Sequence, residues 1–355
     1  MSFLLDTPRD HLDAPALLSA RSAVPYRSLI RNAEKVARQL VTLGVEAGDT
    51  VAVKGDPTVE VVTALHGAWM AGVVVAPMNP RWTRQEEARG LELLGPRVVL
   101  VGKGHAVSGG VSGQHELRTL GSRDQGGMRS LASLWADRGP LDSRPASVRE
   151  GDAAVRLLTS GTSGAPSVVT LTFGNLAANA RGVRERLSLH PSDRWLASLS
   201  LAHVGGVAMV VRAALVGSAL VPAGRFRIEV FCRMVADGVI THASLVPTML
   251  RRYMEIQGAE PPPGTLRCLL IGGAHAAADL VREALERSLP LALTYGMTEA
   301  SSQVATASPE LVARKPGTVG RQYSDRNSGH PPLHFDMSSL DLYTTISNGA
   351  TLYPI

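Results

Sequence analysis

From Tyr26 to about Val101 two hydrophobic periods alternate, and that alternation constrains the fold more than any other feature of the chain. A helical pattern runs through SLIRNAEKVARQLVTLG and turns at VEAGD. The strand TVAVKG follows, then the helix VEVVTALHGAWMAG, the strand VVVAPMN, the helical RWTRQEEARGLELLG and the strand RVVLVG. Strands separated by helices are joined by crossovers, so they pair in parallel and need cover on both faces. Unbroken Val-rich runs are what such burial selects. Only fifteen of the 355 residues are Phe, Tyr or Trp, so Val, Leu, Ala, Ile and Met must supply the core. The fold class predicted is layered α/β.

Between Gly102 and roughly Asp152 the periodicity fades into GKGHAVSGGVSGQHELRTLGSRDQGG and GPLDSRPASVREGD, which read as a surface excursion or linker. Order returns with AAVRLLTSGTSGAPSVVTLTFGNL, a strand, a Gly/Ser/Thr loop, a second strand and a helix from about Asn175. Further strand and helix signals follow as far as LALTYG. The organisation predicted is a first α/β subdomain over residues 1–150 that ends in the Gly/Ser-rich excursion. A second covers 151–321, and 322–355 forms an atypical tail.

The net charge is +5, yet the charges are dispersed, and the 36 basic residues form no run of five or six. A nucleic-acid-binding face is therefore not expected. Only four of them are lysines: Lys35, Lys54, Lys103 and Lys315. Cys232 and Cys268 lie far apart with no C-x-x-C, which argues against a disulfide framework or thiolate zinc site and for a reducing, cytoplasmic setting. The first residues meet Asp6, Arg9 and Asp10 before any signal-like apolar stretch forms. The uncharged, strongly apolar stretch Val61 to Asn79 contains His66, Gly67, Gly72 and Pro77. It reads as a helix followed by a buried strand rather than a membrane span. Self-association into a homo-oligomer is left open by the sequence.

Three segments carry chemistry. The loop Thr159-Ser160-Gly161-Thr162-Ser163-Gly164, continuing to Ser167, follows an apolar strand and offers closely spaced backbone N–H groups and several hydroxyls, which suits a polyphosphate. It lacks the Walker A lysine, and a plain Ser/Gly turn between two strands fits the same residues. Tyr295-Gly296-Met297-Thr298-Glu299, after the strand LALT, sets a hydroxyl and a hard carboxylate at a strand end, where open α/β sheets bind ligands; a solvated loop is the alternative. In LLIGGA, Gly272 and Gly273 end an apolar strand and would admit a planar ring or a backbone at close range.

In this order the three segments resemble the adenylate-forming superfamily over about Tyr26 to Arg321. The resemblance implies the large N-terminal region of such an enzyme, two layered α/β subdomains with mixed sheets. It also implies an AMP-forming acid–thiol ligase that uses ATP, Mg2+ and coenzyme A. Thr159, Ser160, Gly161, Thr162, Ser163 and Gly164 would then hold the ATP phosphates, and Gly272, Gly273, Ala274, Tyr295 and Gly296 would lie at adenine. Thr298 would contact phosphate and Glu299 would bind the metal. Within the superfamily, DRWLASLSLAHVGG, SLVPTML and GMTEASSQ look most like the o-succinylbenzoate-CoA ligases of menaquinone biosynthesis. That likeness assigns an acyl pocket to His203, Gly205, Gly206, Ser244, Leu245, Val246, Ser302 and Gln303, with His203 also in a catalytic role. A core histidine satisfied by a carbonyl is the plainer reading of His203. The partners implied are a small carboxylic acid, ATP and CoA, and the two cysteines are expected to be buried hydrophobes.

Two departures accompany the likeness. The family's phosphate loop ends in Pro-Lys, whereas Pro166 is followed by Ser167. Beyond KPGTVGR321 the family's ribose-binding Asp, hinge and lid with a catalytic Lys are not recognisable, so the lid is expected to be absent. The tail itself resembles an acyl-pocket segment out of order: Phe335 precedes Gly349 by 14 residues, as His203 precedes Gly217. An inactive or partly active fragment that keeps nucleotide or acyl binding, or a ligase for another aryl or short acyl acid, are the competing functional expectations.

Overall fold

A computed structural model describes residues 3–4, 11–19, 22–107, 116–119, 147–159, 166–258 and 260–322. The expectations for Ser160–Gly164 and for the tail beyond Gln322 fall outside the described residues. In chain order the strands are β1 (Pro15–Leu18), β2 (Ala23–Pro25), β3 (Thr50–Lys54), β4 (Val74–Met78), β5 (Val98–Val101), β6 (Glu116–Thr119), β7 (Ala153–Thr159) and β8 (Ser167–Thr172). They continue with β9 (Arg194–Leu196), β10 (Ala219–Val221), β11 (His242–Leu245), β12 (Cys268–Ile271), β13 (Leu291–Met297), β14 (Ser302–Ala307) and β15 (Arg321–Gln322). The helices are α1 (Tyr26–Thr42), α2 (Val59–Met70), α3 (Arg84–Leu94), α4 (Phe173–Arg186) and α5 (Val204–Val216), then α6 (Ile228–Ala236), α7 (Pro247–Gln257), α8 (Ala278–Glu286) and α9 (Pro309–Arg314).

These strands make two mixed sheets. The first has the order β6-β5-β3-β4-β7-β8, parallel except for β8, which returns antiparallel on β7. The second has the order β15-β14-β13-β12-β11-β9-β10-β1-β2. Its six central strands are parallel, and β14, β15 and β2 are antiparallel toward the edges. Sheet membership crosses the division expected at residue 150. Strands β7 and β8 complete the first sheet through Val75 opposite Val155, and the early β1–β2 hairpin joins the second through Leu17 opposite Leu220. Pairing follows which apolar edges remain open, not proximity in sequence.

Alternation along each strand assigns the layers. In β12, Cys268 and Leu270 face one core while Leu269 and Ile271 face another; in β3, Val51 and Val53 turn away from Ala52. The largest core lies between the sheets and is filled by α1, α2, α4 and α5. Helices α6 to α9 cover the outer face of the second sheet, and α3 covers that of the first. The result is five layers, α/β/α/β/α. Helix α2 is buried on every side from Val61 to Met70, which explains the uncharged stretch. Among the described residues no helix is long and apolar enough to cross a membrane. Buried polar groups join the layers: Trp69 Nε1 donates to the Ala154 carbonyl at 3.0 Å, and Tyr26 Oη lies 2.8 and 2.7 Å from the carbonyls of Ala213 and Ser218.

Candidate active site

Strands β7 and β8 flank the segment read as a phosphate loop and pair as a hairpin. Thr159 and Ser167 are opposite each other in the ladder, and their hydroxyls lie 2.8 Å apart, closing the base of the loop. The residue that departs from the Pro-Lys pattern is thus engaged as a hydroxyl. Strand β8 passes without a break into α4 through a reciprocal cap. Thr172 Oγ1 accepts from the Asn175 N–H at 3.1 Å, and Asn175 Oδ1 accepts from the Thr172 N–H at 3.0 Å. The amides of Phe173 and Gly174 donate to the carbonyls of Asp152 and Glu150, at 3.0 and 2.8 Å. The hairpin is therefore rigidly joined to the helix behind it.

The second motif meets this hairpin across the two sheets. The strand does not stop at LALT but runs to Met297, because β14 pairs with its second half through Tyr295–Ala305, Gly296–Gln303 and Met297–Ser302. Thr298–Ala300 then form one 3₁₀ turn, which packs against β8. Thr298 is half-buried and Glu299 is exposed. Ser301 and Ser302 both have positive φ, 59° and 106°, so the reversal out of the turn is held in a conformation that favours glycine. Gly296 is required by packing: a Cβ there would lie 1.9 Å from the Ser302 carbonyl oxygen.

The glycines of the third motif divide. A Cβ on Gly272 would meet Thr294 Cγ2 at 2.5 Å, so this residue serves strand packing. Gly273, at φ +78°, and Ala274 are exposed at the C-terminal end of β12, beside Val246. Tyr295 is half-buried and packs against the outer core of the second sheet.

The residues assigned to the acyl pocket also separate. His203 is an exposed N-cap of α5, and it is not a core histidine. Desolvation, and then the charge of Arg81, hold its imidazole below the ordinary value. Gly206 lets α5 start against the preceding loop, since a Cβ would lie 2.2 Å from the Ser200 carbonyl oxygen; at Gly205 the neighbour is Leu199 Cδ1 at 3.1 Å. Ser244 and Leu245 face opposite sides of β11. The Ser244 hydroxyl accepts from Trp195 Nε1 at 3.1 Å and its carbonyl accepts from Ser198, while Leu245 is in the outer core. Val246, after the strand end, is half-buried at the N-cap of α7. Ser302 and Gln303 are both buried.

A model of the AMP-binding enzyme family matches residues 6–328. The chain belongs to this family. It is 31% identical over 309 residues to a 2-succinylbenzoate–CoA ligase from Bacillus licheniformis and 30% over 313 residues to one from Bacillus cereus, each match covering 87% of the chain. The chain spans about 62% and 61% of the length of these two relatives. The o-succinylbenzoate coenzyme A synthetase of Bacillus subtilis, solved in complex with AMP, superposes with a TM-score of 0.80 at 26% identity, covering 91% of this chain and 64% of that one. The same enzyme solved with ATP and magnesium ion gives a TM-score of 0.77, covering 91% and 65%. The N-terminal domain of FACL13 from Mycobacterium tuberculosis, at 23% identity and TM-score 0.78, shares the fold.

Among the described residues no three His, Cys, Asp or Glu side chains gather into a metal cluster. Glu299 instead offers a single exposed carboxylate in the turn that packs against β8. That fits Mg2+, which keeps several waters and takes much of its coordination from substrate phosphates. Of the two cysteines expected to be buried, Cys268 is, and burial pushes its thiol up to about 12; Cys232, on α6, is only half-buried. Two residues near these motifs gave no sequence signal. Arg81 sits in the loop after β4, its amide held by Asn79 Oδ1 at 3.0 Å, and acts on His203 from the other sheet. Asn179 on α4 reaches the carbonyl of Gln303 at 2.7 Å. Only the three-dimensional pairing of distant segments reveals either.

Proposed function

We propose that the chain binds ATP with Mg2+ and activates a carboxylic acid, o-succinylbenzoate, as its acyl-adenylate, the first half of an AMP-forming acid–CoA ligation in menaquinone biosynthesis. The observation that carries this is the packing of the β7–β8 phosphate hairpin against the Thr298–Glu299 turn. It joins the two motifs that a polyphosphate would bridge. The names of the relatives and of the superposed synthetase support the choice of acid.

In this reading the acid's carboxylate oxygen attacks the α-phosphorus of ATP and pyrophosphate leaves; the thiol of coenzyme A then attacks the acyl carbon and AMP leaves. Both reactants of the first step are anions, so alignment and charge neutralisation supply most of the catalysis. The backbone amides of residues 160–164, with Thr159 and Thr298, would orient the phosphates, and Glu299 would hold the metal. Bound Mg2+ would offset charge on the phosphates. Gly273 and Ala274 would border adenine, and His203, Val246 and Ser302 the acid. The free cysteines fit a reducing cytoplasm.

Pyrophosphate exchange into ATP, measured with Mg2+, o-succinylbenzoate and a panel of other aryl and short acyl acids, tests the proposal. Exchange that requires o-succinylbenzoate is the expected result, and exchange with a different acid alone would overturn the substrate. A second reading, binding without turnover, is favoured by the Ser167 hydroxyl standing where the family's loop carries an ammonium. A calorimetric ATP signal without exchange would select it.

A further inference from the structure

The two halves of the candidate site belong to different sheets, and one hydrogen bond ties the helix behind the first to the strand behind the second. Strand β14 carries a bulge: Gly296 is opposite Gln303 and Tyr295 is opposite Ala305, so Val304 has no counterpart. On its other side, among the described residues, β14 pairs with β15 at Ala305 and Thr306. The Gln303 carbonyl accepts from Asn179 Nδ2, 2.7 Å away, on a helix 124 residues earlier in the chain.

Asn179 is an unusual residue for its place. Helix α4 buries Phe173, Leu176, Ala177, Ala180 and Val183 as an apolar stripe, and Asn179 is buried alongside them, 8% exposed. A buried amide is tolerated where its hydrogen bonds are made. Asn179 makes the one to Gln303, and its Oδ1 has no partner among the described residues. The Gln303 side chain continues the link. Thr306 Oγ1 donates to Gln303 Oε1 at 2.8 Å and lies 2.8 Å from Thr294 Oγ1, which lies 2.8 Å from the Ala305 carbonyl. The bulge is thereby fixed to β13 just before Tyr295 and Gly296. On the other side, α4 is continuous with β8 through the Thr172–Asn175 cap.

We propose that Asn179 is a positioning residue, which holds the β14 bulge on α4 and so sets the spacing between the phosphate hairpin and the Thr298–Glu299 turn. Gln303, assigned to the acyl pocket by resemblance, belongs with it: its carbonyl accepts from Asn179 and its Oε1 from Thr306. The ligand to which the spacing matters is a nucleoside triphosphate carrying a divalent cation, which would be held from both sheets. In that respect the proposal rests on the ligase reading.

The experiment uses the full chain and the variants Asn179→Leu, which keeps volume without a donor, and Asn179→Ala. Hydrogen exchange of the ligand-free protein is followed by mass spectrometry, and Mg-ATP and o-succinylbenzoate binding by calorimetry. In both variants the amides of residues 296–303 are expected to exchange faster while β11 and β12 keep wild-type protection. The Kd for Mg-ATP should rise about tenfold, the scale of one lost hydrogen bond, with that for the acid changed less than about twofold. Unchanged exchange over 296–303, or faster exchange throughout, would overturn the clamp, as would equal weakening of both ligands. If the wild-type chain bound no ATP, the ligase reading would fail, and the exchange measurement would still decide whether Asn179 holds the turn.

Discussion

Replacing Lys54 by Met tests the energetics of the first sheet most sharply. Lys54 ends β3 and is 4% exposed; its Nζ lies 2.5 Å from Glu87 Oε1 on α3, whose residue is fully buried, and 2.6 Å from the Ala106 carbonyl. Methionine fills much of the same volume but leaves a carboxylate buried without its ammonium. Two unit charges at about 4 Å and an effective dielectric near 20 attract by ~4 kcal/mol, and breaking a buried pair by removing one partner costs about 3–5 kcal/mol. Against a typical stability of about 5–15 kcal/mol, such a loss would be a large share.

Urea unfolding followed by circular dichroism should show that deficit for Lys54→Met, with a midpoint shift that persists in about 1 M salt, because a buried pair is poorly screened. The double variant Lys54→Met, Glu87→Leu should recover most of the loss, since an apolar pair of similar volume replaces a buried ion pair at little cost. A single variant within about 1 kcal/mol of wild type would refute the reasoning. So would a double variant no more stable than the single.

Three further outcomes are expected. In Gly296→Ala the new methyl falls more than 1 Å inside the 3.0 Å limit that real Cβ contacts respect, against backbone that cannot swing aside. Its melting temperature should drop and its ATP signal should vanish, and a wild-type melt would contradict the packing. Glu299→Gln changes an exposed carboxylate, so its thermal melt should match wild type while half-saturating Mg2+ for ATP binding rises; an unchanged magnesium requirement would remove Glu299 from the site. Burial pushes His66 down to about 3, so between that value and the unfolded-state value near 6.5 the unfolded chain binds a proton that the folded chain refuses. The stabilisation from keeping His66 neutral is complete above that window and should fall by about 1.4 kcal/mol per pH unit on acidification through it. Urea midpoints from pH 7 to 4 would show it, and a slope unaltered in His66→Gln would count against it.

The alternation of helix and strand from Tyr26 to Val101, the two strands flanking the Gly/Ser/Thr loop at Thr159 and Ser167, and the strands LLI before Gly272 and LALT before Tyr295 were all legible in the sequence, though the last runs on to Met297. Each is set by short-range periodicity or by Gly/Ser chemistry within a few residues. So was membership of the AMP-binding family, because its motifs are contiguous and keep their order. What the chain does not spell out is which strand lies beside which. The hairpins at residues 15–25 and 153–172 joined the sheets opposite to those expected, because open edges select partners irrespective of sequence distance. Nor does a glycine declare its purpose: Gly272, Gly296 and Gly206 read as room for a ligand, yet backbone or a neighbouring side chain fills that room. Arg81 beside His203 and Asn179 under the β14 bulge have no local signature at all. Tertiary structure alone decided them, because a hydrogen bond or a charge acts through space, and only the packed layers bring those atoms within its range.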